Sequence, residues 1–335
     1  MWCIARAGPG RPACTGATGP MSSTSPALTC PLRKPAAQRS RSIWRTGRMG
    51  RRAPMPDGFE LDELMCVLMA REIHDGDWIN HGAVVPLAGA ALMLAKHTHA
   101  PGLEFFYLGT EFNSVSPAVT DLGRLMTEPQ LACSPSRGLM SHYDIMSLTL
   151  RGGADLQFLR PVQIDAVGNV NTSIIGSREA PKHRFHGIAV ADAMVLVGRV
   201  VLYVTEHDER VFPRELGYRT GTGHVEGGAW RERIGAPGSG PASVITPLCV
   251  MDFETPDRRA RLRSVHPGVD VDQVVAATGF ELVVPDDVPS SDPPTALELD
   301  VLRTVVDPLA TRHLEFKQLR RDAQERIAAA EAARA

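Results

Sequence analysis

Apolar positions recur at helical spacing between Phe59 and His74. Leu61, Leu64, Met65, Leu68, Met69 and Ile73 fall on one face of a 3.6-residue helix, which Asp75-Gly76-Asp77 ends. A short strand is predicted from Trp78 to Val85, and Pro86 opens a second helix, rich in Ala and Leu, that runs to Lys96. The run Leu103 to Leu108 has the length of a buried strand, and Leu139 to Leu150 reads as a short helix. Leu156, Phe158, Leu159, Val162 and Ile164 form a further strand that leads into Asp165 and a tight turn at Gly168-Asn169. The apolar, β-branched stretch Val195 to Thr205 reads as a core strand ending near His207, which is expected to cap the core. Val244 to Phe253 with Leu262 to Val265 reads as a hairpin, Val269 to Ala277 as a helix, and Arg312 to Ala335 as a charged surface helix. Strand and helix in alternation predict an α/β fold with an open, mostly parallel sheet covered by helices. Ligands of such sheets sit beyond the carboxyl ends of the strands, so the polar turn after Ile164 is where a site is expected.

Composition adds a division of the chain. Residues 1–54 are rich in Pro, Gly, Ser, Thr and Arg and cannot bury enough apolar surface to offset chain entropy, so they read as a disordered basic leader. Up to residue 56 there are ten Arg or Lys and no acid, which leaves the rest at −12 when the whole chain stands at −2. A transit peptide, a nucleic-acid-binding arm and a translation start at Met49 or Met55 are all open, the last being preferred. Residues 55–310 then form one domain, and 311–335 a terminal helix. The acidic body argues against nucleic acid as the main partner. The six cysteines show no CxxC or metal spacing, which points to reduced thiols and a cytoplasmic protein, and no apolar run reaches transmembrane length. His97 and His99 do not share a helix face and are read as a helix end and loop rather than a metal site. Arg231-Glu232-Arg233 reads as a surface charge cluster, with a phosphate contact as the alternative. His142 reads as a surface or cap residue. No Walker loop and no strand-GxGxxG-helix unit occurs.

Several blocks carry a resemblance. QIDAVGNVNTSIIG, followed by PKHRF, then Gly217-Tyr218, then Arg231 to Gly235, then HPGVDVDQVVAATGFEL and finally ALELDVLRTVVDP stand in one order between Leu61 and Pro308. In that order they resemble the second subunit of the glutaconate-type, class I coenzyme A-transferases. The resemblance implies the corresponding α/β fold for residues 55–310, an acyl-CoA substrate, coenzyme A as substrate rather than cofactor, and no membrane. It also implies a homologous α-type subunit, in an α2β2 assembly, with the site between the subunits.

Its residues are less conventional. In the transferases the strand after an Ala-Pro like Ala100-Pro101 ends in a glutamate that forms an acyl anhydride and then a CoA thioester, chemistry that needs a carboxylate. Here Leu108 or Tyr107 stands at that place. Glu111, just beyond Gly109, is the nearest carboxylate, and three roles stay open for it: solvated loop residue, general base or substrate contact, and covalent nucleophile. The resemblance places Gly109, Gly168, Asn169 and Asn171 near the CoA-facing cleft. Of the glycine-rich turn that helps bind acyl-CoA in the family, Gly187 alone is retained. The ring-opening acyl-CoA hydrolases of steroid degradation also depart from the nucleophile pattern, so hydrolysis of a cyclic β-keto thioester is the alternative to CoA transfer. A non-catalytic subunit that completes its partner's cleft is the third reading.

Overall fold

The computed structural model describes residues 58–82, 85–108, 113–125, 135–187, 190–225 and 227–333. The basic leader, Gly109 and Glu111 lie outside the described residues. The amphipathic repeat forms α1 (Leu61–Arg71), opened by a capping box in which the Glu60 N–H donates to Glu63 Oε2 at 2.9 Å. Pro86 starts α2 (Pro86–His97), where proline's missing N–H is no loss.

Chain order gives the strands β1 (Trp78–Gly82), β2 (Glu104–Leu108), β3 (Asn113–Val115), β4 (Gly138–Met140), β5 (Leu156–Leu159), β6 (Gln163–Ile164), β7 (Val170–Asn171), β8 (Ile174–Gly176), β9 (Pro181–Arg184), β10 (Arg199–Tyr203), β11 (Pro241–Ile245), β12 (Cys249–Asp252) and β13 (Arg261–Val265). Nine of them join in one sheet among the described residues, in the order β13-β12-β11-β10-β5-β1-β2-β3-β4. The pairs among β11, β10, β5, β1 and β2 are parallel, and the outer strands add antiparallel. The sheet is therefore open and mostly parallel at its centre, as the alternation of elements predicts.

Period-2 alternation sends successive side chains to opposite faces. Ile79, Phe105, Tyr107, Phe158, Val201 and Tyr203 pack under α1 and α2. Leu159, Val200, Leu202 and Val244 pack on the other face with the helix Val190–Leu196, and Phe106 with Val115 and Ile145 forms a smaller cluster there. No helix among the described residues is long and apolar enough to cross a membrane.

Four expectations change. Gly138–Met140 is an edge strand, and the helix there spans His142–Leu150 behind the Ser141 hydroxyl, which accepts the Asp144 N–H at 3.1 Å. The run Val195 to Thr205 divides between the end of the helix Val190–Leu196 and β10, because an apolar run without a period does not distinguish helix from strand. The strand leading to Ile164 stops at Leu159; after Pro161 the chain turns back as the β6–β7 hairpin. The tail is not all surface: Thr311–Glu315 forms a buried 3₁₀ turn, and only the following helix, Arg320–Ala332, is mainly exposed.

That buried turn ties the chain's end to its first helix. Arg312 donates to Asp62 at 2.7 Å and to Asp307 at 3.0 Å, Arg303 grips Glu63 at 2.7 Å, and His313 meets Asp62 at 2.9 Å. Burial pushes the Asp62 carboxyl up, but the His313 hydrogen bond and the Arg312 charge outweigh it and hold the group below the usual carboxylate range. Breaking such a pair leaves buried charge unbalanced. Arg312→Met should lower the unfolding free energy by about 3–5 kcal/mol in urea titration, whereas Arg321→Met, on the exposed helix, should stay within about 0.5 kcal/mol.

Burial also holds three histidines, His81, His207 and His224, down to about 4. His81 sits between Phe105 and Tyr107, and His207 bonds Thr246 and Thr278 at 2.9 and 3.1 Å, as a core-capping residue does. The unfolded chain, with histidines near 6.5, binds more protons below that pH. Stability should therefore be complete above about pH 6.5 and fall as pH drops toward 4. Urea midpoints across that range should show the slope, and His81→Leu should reduce it.

Candidate functional site

The parallel strands end on one edge of the sheet, and α2, which follows β1 directly, starts there. β2 ends at Leu108, level with Gly82 of β1 and Asn113 of β3. Tyr107, one residue earlier, is buried and paired with His81 and Ser114.

On the α1/α2 side of this edge stands a carboxylate to which sequence reasoning gave no role. Glu315 Oε1 accepts the Leu87 N–H in the first turn of α2 at 2.8 Å, and Oε2 accepts the Tyr203 hydroxyl at 3.1 Å. Arg160, the residue after β5, closes the group with 3.1 Å to Glu315 Oε2 and 2.9 Å to the Thr205 hydroxyl. Burial drives the Glu315 carboxyl above its ordinary value, and Arg160, the Leu87 N–H and the Tyr203 hydroxyl only partly offset it. Tyr203 is held well above the phenol value by burial and by Glu315. The arrangement is an anion at a helix N-terminus, where N–H groups and the dipole favour one, with a guanidinium beside it.

On the opposite side the chain folds back as the β6–β7 hairpin. Asp165 Oδ1 accepts the N–H groups of Val167 and Asn169 at 3.0 and 2.9 Å, and Gly168 takes φ +70°, as the turn requires. The tip packs on Pro241, where β11 begins, and on Phe253, just past β12. Gly168 and Asn169 thus lie over the amino end of β11, away from the carboxyl ends, because the reversal after Pro161 carries them there. Asn169 donates to Asp165 Oδ2 at 2.9 Å and accepts the Gly223 N–H at 2.8 Å. Asn171, fully buried, donates to Gln163 and Ile174 O at 2.8 and 2.7 Å and accepts the N–H groups of Ser173 and Ile174. Both amides are bonded within the protein, where they shape the turn. Gly187 lies nearer the carboxyl edge, at φ +38°, and a Cβ there would stand 2.2 Å from Ser173 Oγ; its carbonyl accepts the Thr172 hydroxyl at 3.1 Å.

The loop Gly217 to Gly223 is locked in turn by Arg231, which is buried rather than part of a surface charge cluster. Its guanidinium donates to the carbonyls of Gly238, Gly223, Met194 and Val195 at 2.9 to 3.0 Å. Carbonyl dipoles replace a counter-ion here, and burial pulls the arginine below its ordinary value. Asn169 and Arg231 meet through Gly223, a link whose only trace in the sequence is the glycine density around them. His97 and His99 bond the carbonyls of Thr120 and Ile73. Among the described residues no group of three or more His, Cys, Asp or Glu is placed to hold a metal. Cys66 and Cys249 are buried free thiols, the second pushed by burial up to about 12. Asn169→Ala would strand the Gly223 N–H and one Asp165 oxygen, and should cost about 1–3 kcal/mol. Thermal denaturation reads the loss, and faster exchange of the Gly223 amide localises it.

A fold with this edge and these loops has counterparts among known proteins. The family model for coenzyme A transferase matches residues 63–277. The B subunit of 3-oxoadipate CoA-transferase from Pseudomonas knackmussii is 31% identical over 76% of this chain and 96% of its own length. The cholesterol ring-cleaving hydrolase IpdB subunit of Rhodococcus jostii is 29% identical over 58% of this chain and 82% of its own. The crystal structure of glutaconate coenzyme A-transferase from Acidaminococcus fermentans covers 75% of this chain and 95% of that one, with TM-score 0.66 and 23% identity, which speaks to the fold. With the family model spanning the sheet from α1 to the helix before Thr278, and a relative above 30% identity matched over nearly its whole length, this chain belongs to the coenzyme A transferase family.

Proposed function

We propose that the chain is the β-type subunit of an enzyme that transfers CoA between acyl groups, working with a homologous α-type subunit in an α2β2 assembly in the cytoplasm. The observation that carries the reading is the match to a CoA-transferase relative over nearly all of that protein's length. Coenzyme A enters as part of the substrate, and no separate cofactor is required. Glu111, three residues beyond the end of β2, is this chain's reacting carboxylate; it attacks the acyl-CoA carbonyl and expels CoA thiolate to form an acyl-glutamyl anhydride, and the thiolate then attacks the glutamyl carbonyl, releasing the acyl carboxylate and leaving CoA as a thioester on Glu111 until an incoming carboxylate takes it by the reverse steps.

A second reading has its own support. β2 ends in Tyr107-Leu108, without a carboxylate, and one relative is named as a cholesterol ring-cleaving hydrolase subunit. In that reading a carboxylate activates water for attack on a carbonyl of a cyclic β-keto acyl-CoA, which needs reach and a suitable pKa but no covalent bond to the protein.

The test is the complex of this chain with its α-type partner, incubated with an acyl-CoA, treated with borohydride and mapped by mass spectrometry. A CoA thioester or a reduced side chain at Glu111 is expected. An unmodified protein with a substrate that has gained one water would replace transfer by hydrolysis. Glu111→Gln should lower turnover by roughly 10²–10⁴-fold; full activity in Glu111→Ala would place the reacting carboxylate on the partner.

A further inference from the structure

We infer that a cavity beside the amino end of β11 binds a zwitterionic amino acid, with its carboxylate on Arg258 and its ammonium on Glu232; this stands apart from the acyl-CoA reading above. β12 runs antiparallel to β11, so Asp252 at its end lies against Ser243 near the start of β11. Just past that end a cavity of about 530 Å³ opens between two loops, with Ala229 and Glu232 on one side and Glu254, Pro256 and Arg258 on the other. Backbone contacts fix both walls. Gly227 takes φ +78°, and a Cβ there would run into the Asp257 carbonyl oxygen, so the close approach of the two loops requires glycine. On the opposite wall the Arg258 N–H donates to the Thr255 carbonyl at 3.0 Å, and the Arg259 N–H to the Thr255 hydroxyl at 2.8 Å. This turn holds Arg258 at φ +56°, a left-handed conformation that glycine takes freely and that a side chain makes costly. An arginine thus stands where the backbone favours glycine, and it lines the cavity.

The charges suit a ligand that carries both signs. Glu254 is bonded to Arg261 at 2.9 Å, whereas the side chains of Glu232 and Arg258 make no hydrogen bond or ion pair among the described residues. Opposite charges that share a cavity without closing on each other leave room for a bridge, and a molecule with a carboxylate and an ammonium completes both pairs at once. The guanidinium fork takes a carboxylate in two-point contact. The Glu232 carboxylate accepts from an ammonium, and Glu254 adds negative potential from the facing wall. Ala229 and Pro256 supply an apolar flank for the ligand's side chain. A simple anion would gain Arg258 but meet two carboxylates of its own sign, and a simple cation would gain the carboxylates but meet Arg258.

The experiment titrates L-leucine into the full chain by calorimetry, beside 4-methylpentanoate and 3-methylbutylamine, which lack its amino group and its carboxylate respectively. L-leucine should bind more tightly than either by roughly tenfold or more, and Glu232→Gln and Arg258→Gly should each weaken it by a similar factor. Because glycine relaxes the left-handed turn, Arg258→Gly should also raise the melting temperature of the free chain, which separates a lost site from a lost fold. A wild type that does not bind L-leucine, or binds it no more tightly than 4-methylpentanoate, would overturn the assignment. Undiminished binding in Arg258→Gly or in Glu232→Gln would do the same.

Discussion

Five adjacent strands that run the same way bring their carboxyl ends, and the amino ends of α1 and α2, to one edge of the sheet. Helix starts carry unpaired N–H groups and the positive end of a dipole, so this edge calls for anions. Asp62 and Glu63 supply them in the first turn of α1, and Glu315 supplies one at α2. Once buried, those carboxylates need cations, and Arg312, Arg303 and Arg160 answer them. Desolvation makes the exchange all or nothing, because a buried pair is tolerable and half a pair is not. The C-terminal segment supplies Arg303, Arg312 and Glu315, so this edge is built from both ends of the described chain.

On the opposite face the same problem has a neutral solution. The loops that cross it present carbonyl oxygens to Arg231 and an N–H to Asn169, and no carboxylate faces the guanidinium among the contacts it makes. A cation surrounded by four backbone carbonyls fixes backbone rather than side chains. That suits a loop in which Gly221 and Gly223 have no room for a Cβ against Val170 and Gly168.

What the sequence made legible follows from range. α1, α2 and β2 have a period or length that local residues determine, and they stand where the pattern puts them; β12 pairs with β13 as the last hairpin, but the run Val244 to Phe253 divides between the end of β11, a reversal and β12. The family was readable because six separated blocks keep one order. Arg231, Arg312 and Glu315 were not readable, since the burial of a charged side chain depends on partners far away in the chain: Arg160 and Glu315 are 155 residues apart. The asparagines of the GNVN turn show the other difficulty. Residue type announced hydrogen bonding, but the direction of each amide depended on a chain reversal at Pro161 that a continuous apolar run concealed. Leu139, Met140 and the stretch from Val195 to Thr205 depart from the predicted elements for a related reason, because apolar residues without periodicity serve helix and strand alike.

The partners Asp62 and Arg312 stand 250 residues apart. A ribosome making this chain delivers α1 and its two buried acids before the strands of the sheet, and the arginine that neutralises Asp62 after them. Until then the first helix has no balanced place to lie. The pair closes a loop that takes in the whole sheet, and long-range closure of this kind slows folding.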